Sequence, residues 1–381
     1  MRVAIVHHWF VSQGGGERVA EALAQMYPSA DIFALVADSE KVPATLQRRT
    51  LRTSFLNRLP FAGRVYRHLM PFYPLAVEGL DLSRYDLVLS SDSGPMKGVM
   101  VSPSAVHICY CHSPMRYLWD QYHHYRRSMG PVSRAAFSLS AQYVRSWDQR
   151  AAQRVTQLVA NSRYVASRIL QYYGRESVVI HPPVDTVAGY LASAPGKAYL
   201  TVGRLVPYKR IDLLIEACNL LGRELRIIGA GPEESRLRAQ AGSTIKFLGN
   251  VDEDSLWHEY ANCRAFLFAA EEDFGMAVVE AQACGRPVIA FGRGGALESV
   301  ATLNHAAPSP LDTGIFFQHQ TAEDIIDAIR RFESSEYRFR PDIIRRHAGR
   351  FSIEAFRCSF QNLVDSALGR PSTPCELEAC L

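Results

Sequence analysis

The feature that most constrains this chain is an alternation of short apolar runs and helical stretches that stops once and begins again. Val3 to Val6 is an apolar run of the buried-strand kind, and a glycine turn leads from it into a helical stretch, Glu17 to Met26. Asp31–Val36, Asp86–Ser90, Ala105–Tyr110 and Gln157–Asn161 read as further strands, with helices at Ala135–Thr156 and Ser162–Tyr172. Strands that are apolar on both sides and separated by helices form a parallel sheet covered on both faces. Pro182-Pro183 breaks the pattern, Ala194-Pro195-Gly196 breaks it again, and the residues between them read as a linker. The alternation then restarts. Strands are expected at Tyr199–Val202, Glu224–Ile228, Ile245–Leu248, Ala265–Phe268 and Pro287–Phe291, and helices at Arg210–Asn219, Glu233–Gln240, Glu323–Phe332 and Ile353–Ala367. The expectation is an α/β chain of two parallel-sheet domains, 1–183 and 196–352, then a closing helix over 353–368 and a disordered Pro/Ser/Thr-rich tail over 369–381. Ligands of such sheets bind beyond the carboxyl ends of the strands, so chemistry is sought in the loops there.

At 381 residues with 48% hydrophobic content, each half can bury a core. A net charge of +4 is too weak to argue for nucleic acid. Its distribution says more. From Lys41 to Val77 there are seven Lys and Arg residues and no acid, interleaved with Phe55, Leu59, Phe61, Tyr66, Phe72 and Tyr73. That stretch is either a solvated basic face over a core or a surface for anionic lipid headgroups. The eight cysteines lack zinc spacing and sit mostly in apolar runs, so they read as free thiols of a reducing compartment. No run reaches membrane-span length, and the first strand starts at the N-terminus without a leader. The expected location is the cytoplasm, with any membrane contact peripheral and on its cytoplasmic face.

Three loops carry the candidate chemistry. Ser12-Gln13-Gly14-Gly15-Gly16-Glu17-Arg18 follows the first strand and opens a helix, so the backbone at Gly15 and Gly16 can approach a ligand. Its glycines are not spaced as in the dinucleotide fingerprint. Gly203-Arg204-Leu205-Val206-Pro207-Tyr208-Lys209 also lies between strand and helix, and the fork of Arg204 with the point charge of Lys209 suits a diphosphate. In Glu272-Asp273-Phe274-Gly275-Met276-Ala277-Val278-Val279-Glu280, Gly275 opens a helix whose first amides, at Met276 and Ala277, can meet a phosphate. Glu280 is placed to take ribose hydroxyls and Glu272 sugar hydroxyls, while Glu271 and Asp273 read as helix-dipole partners. His112 follows a strand end at the ligand-binding edge of the first sheet, whereas the other eleven histidines, His7, His8 and His181 among them, read as packing or loop residues.

The segment from Glu272 to Phe291, with two glutamates separated by seven residues, resembles the signature of the retaining glycosyltransferases of family four. The Gly-Arg-Leu loop with Lys209, Ile228-Gly229-Ala230-Gly231-Pro232, Phe247-Leu248-Gly249-Asn250-Val251 and Gly15-Gly16-Glu17-Arg18 are similar as well. This resemblance covers the chain to about residue 368 and implies GT-B, two Rossmann-like domains facing a central cleft. It implies an N-terminal acceptor domain, a C-terminal donor domain and a last helix that crosses back to the first. It places Gly203, Phe274, Asn250 and Val251 in the donor site and makes His112 the donor-sugar histidine. A narrower resemblance rests on Tyr110-Cys111-His112-Ser113-Pro114-Met115-Arg116-Tyr117-Leu118-Trp119 and Arg293-Gly294-Gly295-Ala296-Leu297-Glu298. These look like mannosyltransferases of O-antigen and exopolysaccharide synthesis, which use GDP-mannose and a polyprenyl-diphosphate-linked or other glycan acceptor at the inner membrane.

The implied reaction is retaining transfer of a hexose. His112, Glu272, Arg204 and Lys209 carry it: cations and amides stabilise the leaving diphosphate, and Glu272, Glu280 and His112 orient the donor. No enzymic nucleophile, cofactor or metal is expected, the nucleotide sugar being a co-substrate. The rivals are a UDP-sugar transferase or epimerase of the same fold and a non-catalytic nucleotide-sugar-binding partner of a polysaccharide assembly.

Overall fold

The computed structural model describes residues 1–12, 14–127, 129–302 and 311–371, and of His124 only the backbone. The chain divides into two units, one of Met1–Pro183 with the residues from Phe356 onward, the other Val184–Ala355.

The first unit is a seven-stranded parallel sheet made of β1 (Val3–Phe10), β2 (Asp31–Ala37), β3 (Leu51–Thr53), β4 (Leu87–Asp92), β5 (Val106–Cys111), β6 (Gln157–Ala160) and β7 (Val178–Val179). Their spatial order is β3-β2-β1-β4-β5-β6-β7, so the order reverses between β1 and β4. One face packs Val3 and Ile5 against Val19, Ala20 and Leu23 of the helix Gly15–Met26 and against Phe356, Phe360 and Val364 of the helix Ile353–Ala367. The three apolar side chains of that last helix recur every four residues and make one stripe, each contributing about 1.5–3 kcal/mol on burial. The other face packs Ala4 and Val6 with Ala141, Val144 and Trp147 of the helix Pro131–Arg154.

The second unit repeats the plan with six parallel strands, β8 (Tyr199–Val202), β9 (Leu225–Ile228), β10 (Ile245–Gly249), β11 (Phe266–Phe268), β12 (Val288–Phe291) and β13 (Gly314–Phe317). Their order, β10-β9-β8-β11-β12-β13, reverses between β8 and β11. Tyr199, Ile227, Leu267 and Ile289 face one core, and Leu200, Ile228, Phe266 and Phe268 face another.

Several expectations are corrected by the fold. Residues 184–195 are not a free linker but part of the second unit: Val184 is buried, its amide donates to the Phe351 carbonyl at 3.0 Å, and it bridges to Ser352. Strands β3, β7 and β13 were not expected; each is a short strand at the edge of its sheet. Cys109, Cys111, Cys218, Cys263 and Cys284 are buried free thiols, but Cys358 is disulfide-bonded. It sits half-buried on the last helix, where its sulfur is not sealed into the core. Cys375, Cys380 and the tail from residue 372 lie outside the described residues.

In the basic stretch, Leu56, Tyr66, Met70, Tyr73 and Val77 point into the core, while Phe61, Phe72 and Leu75 are exposed among exposed Arg58, Arg64 and Arg67. Among the described residues no helix is long and apolar enough to cross a membrane.

Candidate functional site

The two reversals of strand order are where a parallel sheet opens a crevice at its carboxyl edge. In each unit, loops and strand ends bring polar side chains into contact there.

In the first unit, β1 and β4 lie in a register that sets His7 beside Ser91, and β4 and β5 in one that sets Asp92 beside Cys111. His112, one residue past β5, donates its amide to the Asp92 carbonyl at 2.8 Å, and Asn161 Nδ2 donates to the His112 carbonyl at 3.0 Å. The side chains converge on Ser91: its hydroxyl lies 3.1 Å from His7 Nδ1 and 2.8 Å from His112 Nε2. The Ser91 carbonyl takes His8 Nδ1 at 3.2 Å, and Ser93 Oγ lies 3.2 Å from His8 Nε2. Gly16 closes over all three rings, since a side chain there would meet His8, His7 and His112 at 3.4–3.6 Å. The predicted glycine loop and the predicted histidine are therefore neighbours. His7 and His8 are buried, in keeping with their reading as packing residues, while the sequence did not single out Ser91. Ser91 meets them only through the pairing of β1 with β4, which chain order does not show.

Burial holds these rings neutral. Desolvation, with His8 and His112 nearby, pushes His7 well down. Desolvation also lowers His8, and it lowers His112, with His8 adding, to about 3. Glu17, behind the glycine loop, goes the other way: burial pushes its carboxyl up to about 7, against the amides of Glu17 and Gly14, which favour the ionised form. A carboxyl raised on folding contributes its full stability below the unfolded value near 4.5, and loses it as pH rises through 7. Glu17→Gln should therefore gain stability over wild type as pH rises, by about 3 kcal/mol at pH 8.5, with little difference at pH 4.5. Urea midpoints at the two pH values check this, and an advantage independent of pH would count against it.

In the second unit, the loop after β8 and the loop after β11 meet. Lys209 forms an ion pair with Glu272, and its ammonium also lies 5.8 Å from the centroid of the Phe268 ring. Gly203 lies against Lys209, 3.3 Å from Nζ to where a side chain would begin. Arg204 is exposed beside them. Gly275 caps the helix Met276–Ala283 with φ +85°, a conformation that costs any other residue strain, and Met276 and Ala277 behind it are half-buried. The Gly295 amide donates to the Glu272 carbonyl at 2.9 Å, which fixes the backbone of that loop. Glu280, five residues past Gly275, is buried, and Tyr260, which the sequence did not flag, donates to its Oε2 at 2.8 Å. Phe274 is buried against Phe351. Asn250 and Val251 follow the edge strand β10 two strands away from β8, with Asn250 exposed. The structure thus brings Gly203, Lys209, Glu272 and Gly275 together, and Gly15, Gly16 and His112 separately within the other unit. No group of three or more metal-ligating side chains is gathered among the described residues.

Comparison with known proteins gives two family profiles in tandem. Residues 13–187 match "Glycosyltransferase Family 4" and residues 191–349 match "Glycosyl transferases group 1". A D-inositol 3-phosphate glycosyltransferase of Catenulispora acidiphila is 28% identical over 47% of this chain and 51% of its own length. The chain thus spans about half the length of such relatives. A GDP-mannose-dependent monoacylated alpha-(1-6)-phosphatidylinositol monomannoside mannosyltransferase of Corynebacterium glutamicum is 37% identical over 26% of this chain and 30% of its own. Among solved structures, HepE of Anabaena in complex with UDP superposes with a TM-score of 0.69 at 17% identity, covering 96% of this chain and 100% of that one. Sucrose-phosphate synthase from Thermosynechococcus elongatus gives 0.67 at 16% identity over 97% and 100%. Two reversed-order parallel sheets in tandem and two adjoining family matches lead to one assignment: the chain belongs to the family 4, group 1 glycosyltransferases and has the GT-B fold.

Proposed function

We propose that the protein is a retaining glycosyltransferase that moves mannose from GDP-mannose to a lipid-linked glycan acceptor in cell-surface polysaccharide synthesis. The observation that carries the reading is the Lys209–Glu272 pair beside Gly203 and the capped helix at Gly275. A cation, a carboxylate and free helix amides at one crevice match the two ends of a nucleotide sugar, anionic diphosphate and hydroxyl-rich hexose. When the donor enters, Lys209 exchanges its carboxylate partner for the diphosphate, and Glu272 turns to sugar hydroxyls. Arg204 and Lys209 stabilise the leaving group electrostatically, so no divalent cation is required of the reaction. Glu280, aligned by Tyr260, takes the ribose. His112 contacts the donor sugar. The Corynebacterium relative supports mannose as the sugar. The exposed Phe61, Phe72 and Leu75 among arginines support an acceptor held at the cytoplasmic face of a membrane.

A second reading, transfer from a UDP-sugar, is favoured by HepE of Anabaena, the structural neighbour above, which is also solved in complex with UDP-glucose. Thermal shift with GDP-mannose, UDP-glucose and the free diphosphates, on wild type, Lys209→Ala and Glu280→Ala, tests both. A ligand at about 100 times its Kd adds about 2.7 kcal/mol, which is readily seen. Stabilisation by GDP-mannose that both variants lose is the expected result. A UDP-sugar response moves the donor assignment, and silence throughout, with no diphosphate release on adding acceptor, overturns the reading.

A further inference from the structure

We infer that Ser91 is a positioning residue that sets the tautomer of His112, backed by His7. The inference rests on the reading of His112 as a donor-contacting side chain.

The argument is one of proton accounting. A serine hydroxyl has one proton to give and two lone pairs. Ser91 Oγ faces His7 Nδ1 at 3.1 Å, His112 Nε2 at 2.8 Å and the Gly16 carbonyl at 3.5 Å. His7 Nε2 is buried and meets no hydrogen-bond partner. A buried N–H without an acceptor is rarer and costlier than a bare lone pair, so the His7 proton belongs on Nδ1, pointing at Ser91. Ser91 accepts it. Its own proton then goes to the shorter of the remaining contacts, His112 Nε2, rather than to the distant Gly16 carbonyl. His112 Nε2 is thereby an acceptor, and the ring's one proton sits on Nδ1. Burial keeps His112 neutral at ordinary pH, so it offers a neutral N–H donor and not a cation.

His8 does not compete for this role. Its Nδ1 faces the Ser91 carbonyl, which can only accept, so His8 carries its proton on Nδ1 and takes the Ser93 hydroxyl on Nε2. The His112 backbone is already fixed at both its amide and its carbonyl. What remains free in His112 is the choice of protonated nitrogen, and Ser91 makes it. A histidine placed to donate to a sugar oxygen is useless in the other tautomer.

The test is two-bond ¹H–¹⁵N correlation on ¹⁵N-histidine-labelled protein at pH 7.5, with His112 assigned by its absence in His112→Gln. Wild type should show His112 protonated at Nδ1 alone. Ser91→Ala should shift His112 toward the Nε2–H form or a mixture, and Ser91→Thr, which keeps the hydroxyl, should restore the wild-type pattern. In turnover, Ser91→Ala should lower kcat about tenfold with little change in donor KM, and Ser91→Thr should recover it. A wild-type His112 protonated at Nε2, or a pattern unmoved in Ser91→Ala, overturns the inference. The expected tautomers with no donor turnover in any variant would instead sink the reading of the site and leave the Ser91 assignment standing.

Discussion

Lys97→Met is expected to destabilise the protein by about 3–5 kcal/mol, the cost of leaving a buried charge uncompensated. Lys97 has no exposed surface, nor do Asp92 and Asp148. Its ammonium donates to Asp92 Oδ2 at 3.0 Å and to the Gly94 carbonyl at 2.8 Å, and lies 2.8 Å from Asp148 Oδ1. Burial alone works against this charge, but Asp148 and Asp92 outweigh it and hold the lysine well above its usual range. The second oxygen of Asp148 accepts from Trp119 Nε1 and the Tyr173 hydroxyl, and Asp92 Oδ1 accepts from the amides of Gly94 and Met96. Methionine fills the space and removes the cation, so two carboxylates share one dry pocket. Because the loss comes from unmatched charge and not from packing, Lys97→Met with Asp148→Asn should recover part of it. Urea denaturation of the two single variants and the double closes the cycle. Strict additivity, or a single-variant loss below about 1 kcal/mol, would mean that the cluster is not coupled in this way.

The second large effect is acid lability of the first unit. His107 is buried with Nε2 on Ser90 Oγ at 2.9 Å, and desolvation lowers it to about 4, as it lowers His112 to about 3. A histidine depressed on folding contributes stability above its unfolded value near 6.5, and that stability is lost as pH falls toward the folded value. By pH 5 each of these two forfeits about 2 kcal/mol, and His7 and His8 act in the same direction. Against a typical reserve of about 5–15 kcal/mol the sum is severe. Glu17 opposes it over part of the range, since its ionisation penalty is relieved on acidification. The histidine effect is therefore read most directly in Glu17→Gln. Denaturation of that variant at pH 7.5 and 5.0 should show a loss of at least about 4 kcal/mol, and equal midpoints would contradict it.

Much of this molecule was legible from residues in order. Strand and helix positions follow from short apolar runs and their punctuation, because a strand buried on both faces must be apolar throughout. Tyr199–Val202 and Ile353–Ala367 were read to the residue. The positions of the glycine loop, the Lys209 loop and the Gly275 helix start were legible because each sits between a strand and a helix, which puts it at the carboxyl edge of a parallel sheet. What stayed hidden depends on lateral register. His7, Ser91 and His112 are far apart in the chain and meet only because three parallel strands align their carboxyl ends. Lys97 was illegible for the same reason, its second partner Asp148 arriving on a helix from another layer. Sequence by itself determined the two sheets and which loops crown them, since local periodicity encodes those. Only the tertiary structure decided which polar groups those loops share, because burial and hydrogen bonding act between neighbours in space.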